Sequence, residues 1–337
     1  VVAGFIVGVP MFYSVGFVIL IPLVFTVAAS SGLPLIYVGL PMLASLSVTH
    51  GFLPPHPAPT AISGMFNADI GKTLLYGIII AIPAIVIAGP LFTRTIKNVN
   101  ATPLKEFYNP IILKDEEMPG MGVSVFTALL PVLLIIFSSI FNIIFTEESF
   151  LKEIILFIGS PVIAMLLSVL VAIYTLGLSR GKKMEELMNS VSSSVSSITM
   201  VLLIISGAGA LKQILIDSGV SDYIGASLDG SQISPLILAW LIATVIRVCV
   251  GSATVAGLTA AGIVLPLVSN SDISPELMVL AIGSGSLMLS HVNDAGFWMF
   301  KEYFNLTVRE TLSTWTVMET IVGITGLVGV LILNLFI

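Results

Sequence analysis

The chain has 337 residues, of which 56% are hydrophobic and only 9% are charged, and its formal net charge is -6. A mean hydropathy of +1.10 excludes an ordinary soluble domain, which would expose large apolar patches at this composition. The sequence therefore predicts an all-α polytopic membrane protein. Helices are favoured over a barrel because the apolar runs continue for about 20 residues, whereas barrel strands alternate over about ten.

Residues 1–68 contain no Asp, Glu, Lys or Arg, yet prolines interrupt this apolar stretch repeatedly. Proline removes a backbone donor and kinks or ends a helix. At membrane depth, non-helical backbone persists only where protein or a water-filled cavity satisfies it. Broken helices or a re-entrant hairpin are therefore predicted here. Because Val1 already lies within an apolar run, we also expect further helices before it.

Later apolar runs predict further membrane spans at 73–93, 123–146, 154–179, 187–211 and 320–337. The polar loop 94–122 carries Arg94, Lys97, Lys105 and Lys114, and the connection at 180–183 carries three more Lys or Arg residues. The positive-inside rule, which counts Lys and Arg, places both in the cytoplasm. The acidic connection at 147–153 suits the opposite side. Serines concentrated at 188–199 favour close helix packing, with substrate contact as the open alternative. The single cysteine, Cys249, permits no internal disulfide.

The two ends of the chain resemble each other. Residues 8–22 and 251–266 share a Gly-rich start, a small-residue helix and a closing Pro. Each is followed by apolar chain and then by a polar bend, and the three histidines of the chain lie in these bends: His50, His56 and His291. Two similar halves with Gly- and Pro-interrupted segments predict a secondary transporter whose site lies between the halves near the midplane.

Arg247 is the only charged side chain between residues 231 and 271, and it precedes Gly251, Ser252 and Thr254. A guanidinium suits a carboxylate, and a Gly-led helix start offers free N–H groups and the positive end of a dipole. These residues therefore predict an anion-binding site. Alternatives stay open for these residues. Arg247 could instead snorkel to an interface or pair with an acid such as Asp294. The hydroxyl groups of Ser252 and Thr254 could bond only to their own helix.

The bend at 290–298 carries His291, Asn293 and Asp294 in nearly charge-free surroundings. Ionisable groups at membrane depth are costly, so they mark functional sites. Asp294 or His291 is the predicted proton carrier, and Asn293 and His50 are predicted to contact the substrate. The alternative is a bend that is only structural, because buried polar groups need hydrogen-bond partners anyway.

Motifs of other functional classes are absent from the sequence. No Gly-x-x-x-x-Gly-Lys-Ser/Thr stretch occurs, so transport would be driven by an ion gradient. The lack of His-Glu-x-x-His and Gly-x-Ser-x-Gly weakens the hypothesis of an intramembrane enzyme. The remaining rivals are a proton- or sodium-coupled carrier of another small carboxylate and a cation/proton antiporter that uses Asp294. No metal site, cofactor or nucleic-acid partner is predicted.

Three groups of residues resemble the gluconate permease family of proton symporters: Gly51-Phe52-Leu53-Pro54-Pro55-His56-Pro57, Arg247 with Gly251-Ser252-Ala253-Thr254, and residues 290–298 followed by Lys301-Glu302-Tyr303-Phe304 and Thr314-Trp315. The resemblance implies a carrier of the bacterial cytoplasmic (inner) membrane that imports gluconate or a related sugar acid with a proton. It also implies inverted repeats, a scaffold domain that forms a homodimer, and a moving transport domain. Ser14 stands where relatives often have Glu, and Ala58 where they often have Gly. The first departure removes a carboxylate that could affect substrate choice or proton coupling.

Repeat and resemblance together predict a first repeat at 1–93, a linking region at 94–186 and a second repeat at 187–337. In this reading Arg247 and the helix start at Gly251 hold the carboxylate of the substrate. Ser252, Thr254 and Asn293 contact its hydroxyl groups.

Overall fold

The computed structural model describes residues 1–96, 119–145, 149–197, 233–269 and 273–337, with a few isolated residues between these ranges. Every described element is a helix, which confirms the predicted all-α class. The helices are α1 (Val2–Gly8), α2 (Tyr13–Ser31), α3 (Leu35–Phe52), α4 (Pro57–Phe66), α5 (Ile70–Val86), α6 (Met121–Ile144), α7 (Phe150–Gly159), α8 (Pro161–Ala172), α9 (Met184–Ser197), α10 (Pro235–Val250), α11 (Ala253–Ser269), α12 (Pro275–Gly285), α13 (Ala295–Tyr303), α14 (Val308–Thr311) and α15 (Val317–Leu333).

Short π-helical turns extend three of these helices. They are Ile87–Leu91 after α5, Ile173–Gly177 after α8, and Leu312–Thr316, which joins α14 to α15. Six stretches of the described residues are long and apolar enough to cross a membrane: Tyr13–Ser31, Leu35–Phe66, Ile70–Leu91, Met121–Asn142, Val162–Arg180 and Val308–Leu333.

The predicted spans agree with these stretches to different degrees. The spans at 73–93 and 123–146 are helical with ends shifted by a few residues, and the span at 154–179 is interrupted where Ser160 precedes Pro161. The span at 187–211 lies partly outside the described residues. The last span begins well before residue 320, because a capping box between Thr307 and Glu310 starts a helix that continues through Glu319.

The chain divides into two compact units. The smaller unit, Ile111–Ile204, contains α6 to α9. Within it, α6 and α7 approach closely where Gly159 meets Ser138, since a Cβ at Gly159 would overlap that side chain. The hydroxyls of Thr127 and Thr175 lie 3.1 Å apart in the same unit. Small and hydroxylated residues at such contacts are typical of helices packed in a membrane.

The larger unit, Val1–Pro110 with Ile205–Ile337, contains parts of both predicted repeats. In each part the described helices follow the same order. A break separates α1 from α2 and α10 from α11, and a bend separates α3 from α4 and α12 from α13. A long apolar stretch then follows, Ile70–Leu91 in one part and Val308–Leu333 in the other. This order is what the internal resemblance predicts, and the inverted orientation of the two repeats stays a prediction.

The sequence explains where the helices break. Pro10 lies in the first break, and Gly251 ends α10 in the left-handed region at φ 81°, which only glycine adopts without strain. Pro57 occupies the first turn of α4, where a missing N–H costs nothing. Asp294 caps α13 by accepting a hydrogen bond from the Gly296 N–H. Each break therefore has a local chemical cause.

Helix α3 lies at the centre of the larger unit. Within the stretch Leu35–Phe66, 83% of an apolar window of 18 residues is buried, a larger share than in any other candidate span of the described residues. Helix α12 crosses α3 at a contact between two glycines, since a Cβ at Gly283 would overlap the carbonyl oxygen of Gly51. Gly326 of α15 packs against Phe52 and Ser284 at the same place. The bends after α3 and α12 are thereby brought together.

Replacing Gly283 by alanine is expected to destabilise the protein by about 1–3 kcal/mol, because the new methyl group has no space at this crossing. Thermal unfolding of the detergent-solubilised protein measures the effect. Gly64→Ala is the matched control, because nothing lies within 4 Å of a Cβ at that helical glycine. It is expected to leave stability equal or improved, since alanine favours helix by roughly 0.5–1 kcal/mol. Equal unfolding midpoints for the two variants would contradict the close crossing.

Candidate functional site

A cavity of about 430 Å³ lies within the larger unit, where the helix breaks of the two parts meet. Its volume falls in the range of small-molecule sites. The wall combines residues from both breaks, from α3, from the bend before α13 and from the last span. The polar lining residues are Tyr13, Ser14, Ser47, His50, Arg247, Ser252, Thr254, Asn293, Asp294, Trp315 and Glu319.

Arg247 supplies the positive charge of this cavity. It sits one turn before the end of α10 and is only 3% exposed. One terminal nitrogen of its guanidinium donates to the carbonyl oxygen of Gly251, and the other donates to the Asp294 carboxylate. Its Nε has no hydrogen-bond partner among the described residues. Of the alternatives left open by the sequence, pairing with Asp294 is present in the structure and snorkelling is not.

Asp294 is held by three donors. Besides the Arg247 guanidinium, it accepts from the Ser290 hydroxyl and, at 3.0 Å, from the Gly296 N–H. Ser290 is itself buried and accepts from the indole N–H of Trp315 at 2.7 Å. Trp315, Ser290, Asp294 and Arg247 therefore form one continuous chain of hydrogen bonds along the cavity wall.

Two helices begin at the cavity. Tyr13 and Ser14 start α2, and Ser252 and Thr254 lie at the start of α11. The first N–H groups of a helix have no partner inside that helix, and they carry the positive end of its dipole. The Ser252 hydroxyl accepts from the N–H of Val255 at 3.3 Å, so it partly serves its own helix. Both helix starts favour an anion inside the cavity.

The histidines of the two bends occupy different places. His50 lines the cavity, and its ring lies 5.3 Å from that of His56, whose Nε2 is 2.7 Å from the carbonyl oxygen of Gly8. His291 does not line the cavity, and its Nε2 lies 3.2 Å from the carbonyl oxygen of Val248. Asn293 does line it and donates to that same carbonyl oxygen at 2.8 Å.

The structure thus brings together seven of the eight predicted site residues, namely His50, Arg247, Gly251, Ser252, Thr254, Asn293 and Asp294. His291 is the one that does not line the cavity. The roles of all eight in binding and proton transfer stay predictions.

Glu319 and Ser47 also face the cavity, and the sequence analysis missed both. Glu319 is 2% exposed, and the Ser47 hydroxyl donates to one of its carboxylate oxygens. Its other oxygen has no hydrogen-bond partner in the described part of the chain. A signal was available, because Glu319 is the only charged residue between positions 312 and 337. Starting the predicted last span at residue 320, just after Glu319, concealed the place of this residue inside the membrane-crossing stretch.

Comparison with known proteins identifies the family. A sequence profile described as GntP family permease matches residues 1–336. The chain belongs to the GntP permease family. This confirms the resemblance seen in the motifs, and it confirms a permease rather than an enzyme. With six stretches able to cross a membrane, the protein is a multi-pass membrane permease.

Several relatives match almost the whole chain. The High-affinity gluconate transporter of Escherichia coli (strain K12) is 52% identical over 337 residues, which are 100% of this chain and 77% of that protein. The Gnt-II system L-idonate transporter of the same organism is 49% identical, covering 99% of this chain and 76% of the relative. The Gluconate permease of Bacillus subtilis (strain 168) is 47% identical, covering 99% and 77%.

A solved structure shares the fold. The YdaH transporter of Alcanivorax borkumensis, whose crystal structure is described as revealing an unusual topology, matches with a TM-score of 0.60 at 16% sequence identity. The match covers 94% of this GntP permease and 73% of the solved chain. At this identity the similarity shows a common helical fold.

Proposed function

We propose that this permease imports gluconate or a related sugar acid together with protons across a bacterial cytoplasmic membrane. Relatives named as gluconate and L-idonate transporters support the substrate class. The observation that carries the proposal is the buried guanidinium of Arg247 in a cavity where two helices begin.

The substrate carboxylate binds beside Arg247 in this proposal. The Nε–H of Arg247 has no partner among the described residues, so one donor of the fork is available without breaking another bond. The N–H groups at the starts of α2 and α11 provide further donors and a favourable dipole. Asp294 and Gly251 hold the guanidinium in place, which orients it before the substrate arrives.

The hydroxyl groups of the sugar acid meet the polar side chains around this anion site. Ser14, Ser252, Thr254 and Asn293 all line the cavity and can donate or accept hydrogen bonds. Because hydroxyl and amide groups rotate to suit different partners, this wall fits a class of hydroxylated monocarboxylates. L-idonate belongs to the same chemical class as gluconate, so both are candidate substrates.

Alternating access and assembly complete the proposal. Residues of both predicted repeats line the cavity, and in this proposal movement of the unit that holds them exposes the cavity to each side of the membrane in turn. The homodimer and the scaffold domain implied by the family resemblance stay predictions.

Uptake by proteoliposomes tests the proposal directly. With an acidic outside and an alkaline inside, labelled gluconate is expected to accumulate about tenfold per unit of pH difference if one proton accompanies each anion. A protonophore is expected to abolish the accumulation. Liposomes without protein provide the background.

Three outcomes of the uptake assay would count against the proposal. Absence of uptake for gluconate, L-idonate and other aldonates would remove the substrate class. Uptake that equilibrates but ignores the pH gradient would remove the proton coupling. Accumulation that disappears when choline replaces sodium would favour a sodium-coupled carrier instead.

A further inference from the structure

Glu319 is a buried carboxyl group at the wall of the cavity that no substrate contact described above requires. It lies in α15 within the stretch Val308–Leu333, and it is 2% exposed. Ser47 of α3 donates to one of its oxygens, and the other oxygen is buried without a partner among the described residues. One oxygen of this carboxyl group therefore already accepts a hydrogen bond, whereas the other, called the vacant oxygen below, accepts none from the described residues.

The other charged and titratable groups around the cavity do not pair with Glu319. Arg247 of α10 gives its terminal nitrogens to Asp294 and to the carbonyl oxygen of Gly251. His50 of α3 and Tyr13 of α2 line the cavity, and no hydrogen bond joins either to Glu319 within the described residues. An ionised carboxylate that is buried without a cation costs several kcal/mol. Glu319 therefore has a physical reason to bind a proton when the cavity holds another negative charge.

We infer that Glu319 is the binding site of the transported proton, and that its protonation is required for the anion to bind in the cavity. This inference rests on the proposed proton-coupled uptake. The positive charge of Arg247 is already balanced by Asp294, so an ionised Glu319 and the substrate carboxylate would be two uncompensated like charges in one small volume. A proton on the vacant oxygen of Glu319 removes one of them.

The proton transfer needs no further reactant. A proton from the aqueous side that opens to the cavity adds to a lone pair of Glu319, and no other covalent bond changes. After the cavity opens to the other side and the anion leaves, the same proton is released to water. One proton and one monocarboxylate thus move together, and the net charge of the cavity is the same before and after loading.

Asp294 and His291, the carriers predicted from the sequence, are less suited to this step. Asp294 accepts from three donors, so a proton added there would displace one of them and disturb the fork that holds Arg247. His291 is not among the residues that line the cavity, and its Nε2 lies 3.2 Å from the carbonyl oxygen of Val248. Of these three side chains, only Glu319 has a buried oxygen without a hydrogen-bond partner in the part of the chain that the structure describes.

The test measures protons taken up when gluconate binds to the purified full-length protein in weakly buffered detergent solution with a pH indicator. The unmodified protein is expected to take up one proton per gluconate at a pH where Glu319 is ionised before binding. Glu319→Gln is expected to take up none, to bind gluconate with an affinity that no longer changes with pH, and to lose accumulation driven by a pH gradient by at least about tenfold. Glu302→Gln is the matched control, because Glu302 is exposed and pairs with Lys301, and it is expected to behave like the unmodified protein.

The possible failures can be told apart. If the unmodified protein binds gluconate without proton uptake, the proposed proton coupling fails. If the unmodified protein takes up a proton and Glu319→Gln still does so, only the inference about Glu319 is overturned. If Glu319→Gln does not bind gluconate at all, Ser47→Ala decides, since it keeps the carboxyl group and removes its donor. If the inference is correct, the pH at which gluconate affinity is half-maximal differs between Ser47→Ala and the unmodified protein by roughly half a unit or more. An unchanged midpoint overturns the inference.

Discussion

Replacing Arg247 by lysine is expected to lower the initial rate of gluconate uptake by roughly 30-fold to 1,000-fold. The guanidinium bridges the Asp294 carboxylate and the carbonyl oxygen of Gly251 and keeps a third donor free for the substrate. A lysine ammonium is a point charge on a flexible stem and cannot hold this planar geometry. Asp294 would then be left with incomplete pairing in a mostly buried site. Uptake by proteoliposomes that contain equal amounts of each protein measures the effect.

Arg309→Lys is the matched control for Arg247→Lys. Arg309 is exposed at the start of α14 and lies outside the cavity lining, so its replacement by lysine is expected to change uptake by less than about twofold. Near-normal uptake by Arg247→Lys would show that charge alone suffices at this position.

Much of the fold could be predicted from local features of the sequence. The breaks at Pro10, at Gly251 and around Pro57 were predictable because proline lacks an N–H and glycine adopts positive φ, and both effects act within a few residues. The likeness between the two ends of the chain predicted that two breaks and two bends would recur in the same order. Apolar runs fixed the approximate positions of the long helices.

The pairing of the polar groups could not be predicted in the same way. Asp294 was named as one possible partner of Arg247, but whether the two side chains meet depends on how the bend before α13 packs against α10. Glu319 contacts Ser47 across 272 positions of sequence. Neither residue carries a local pattern that names its partner. Contacts of this kind follow from tertiary packing, in which α3, α12 and α15 cross at glycines.

Replacing Gly251 by alanine is expected to be the most damaging single-methyl change at the site. The backbone at Gly251 has φ 81°, which costs an L-residue about 1–2 kcal/mol. In addition, the new Cβ would overlap the carbonyl oxygen of Asn293, and relief of such an overlap costs a further 1–3 kcal/mol or so. Any shift would move the carbonyl oxygen that holds Arg247. We therefore expect both a lowered unfolding midpoint and a loss of uptake.

Gly181→Ala separates the two costs. Gly181 has the same φ of 81°, yet nothing lies within 4 Å of a Cβ placed there. It is therefore expected to lose only the conformational part of the stability, about 1–2 kcal/mol, and to retain uptake. Unfolding midpoints of the two variants in one detergent, together with their uptake rates, give the comparison. A contradicting result would be that Gly251→Ala is no less stable than Gly181→Ala and still transports gluconate. The break between α10 and α11 would then not pack closely against Asn293, and the arrangement of the cavity wall described here would be wrong.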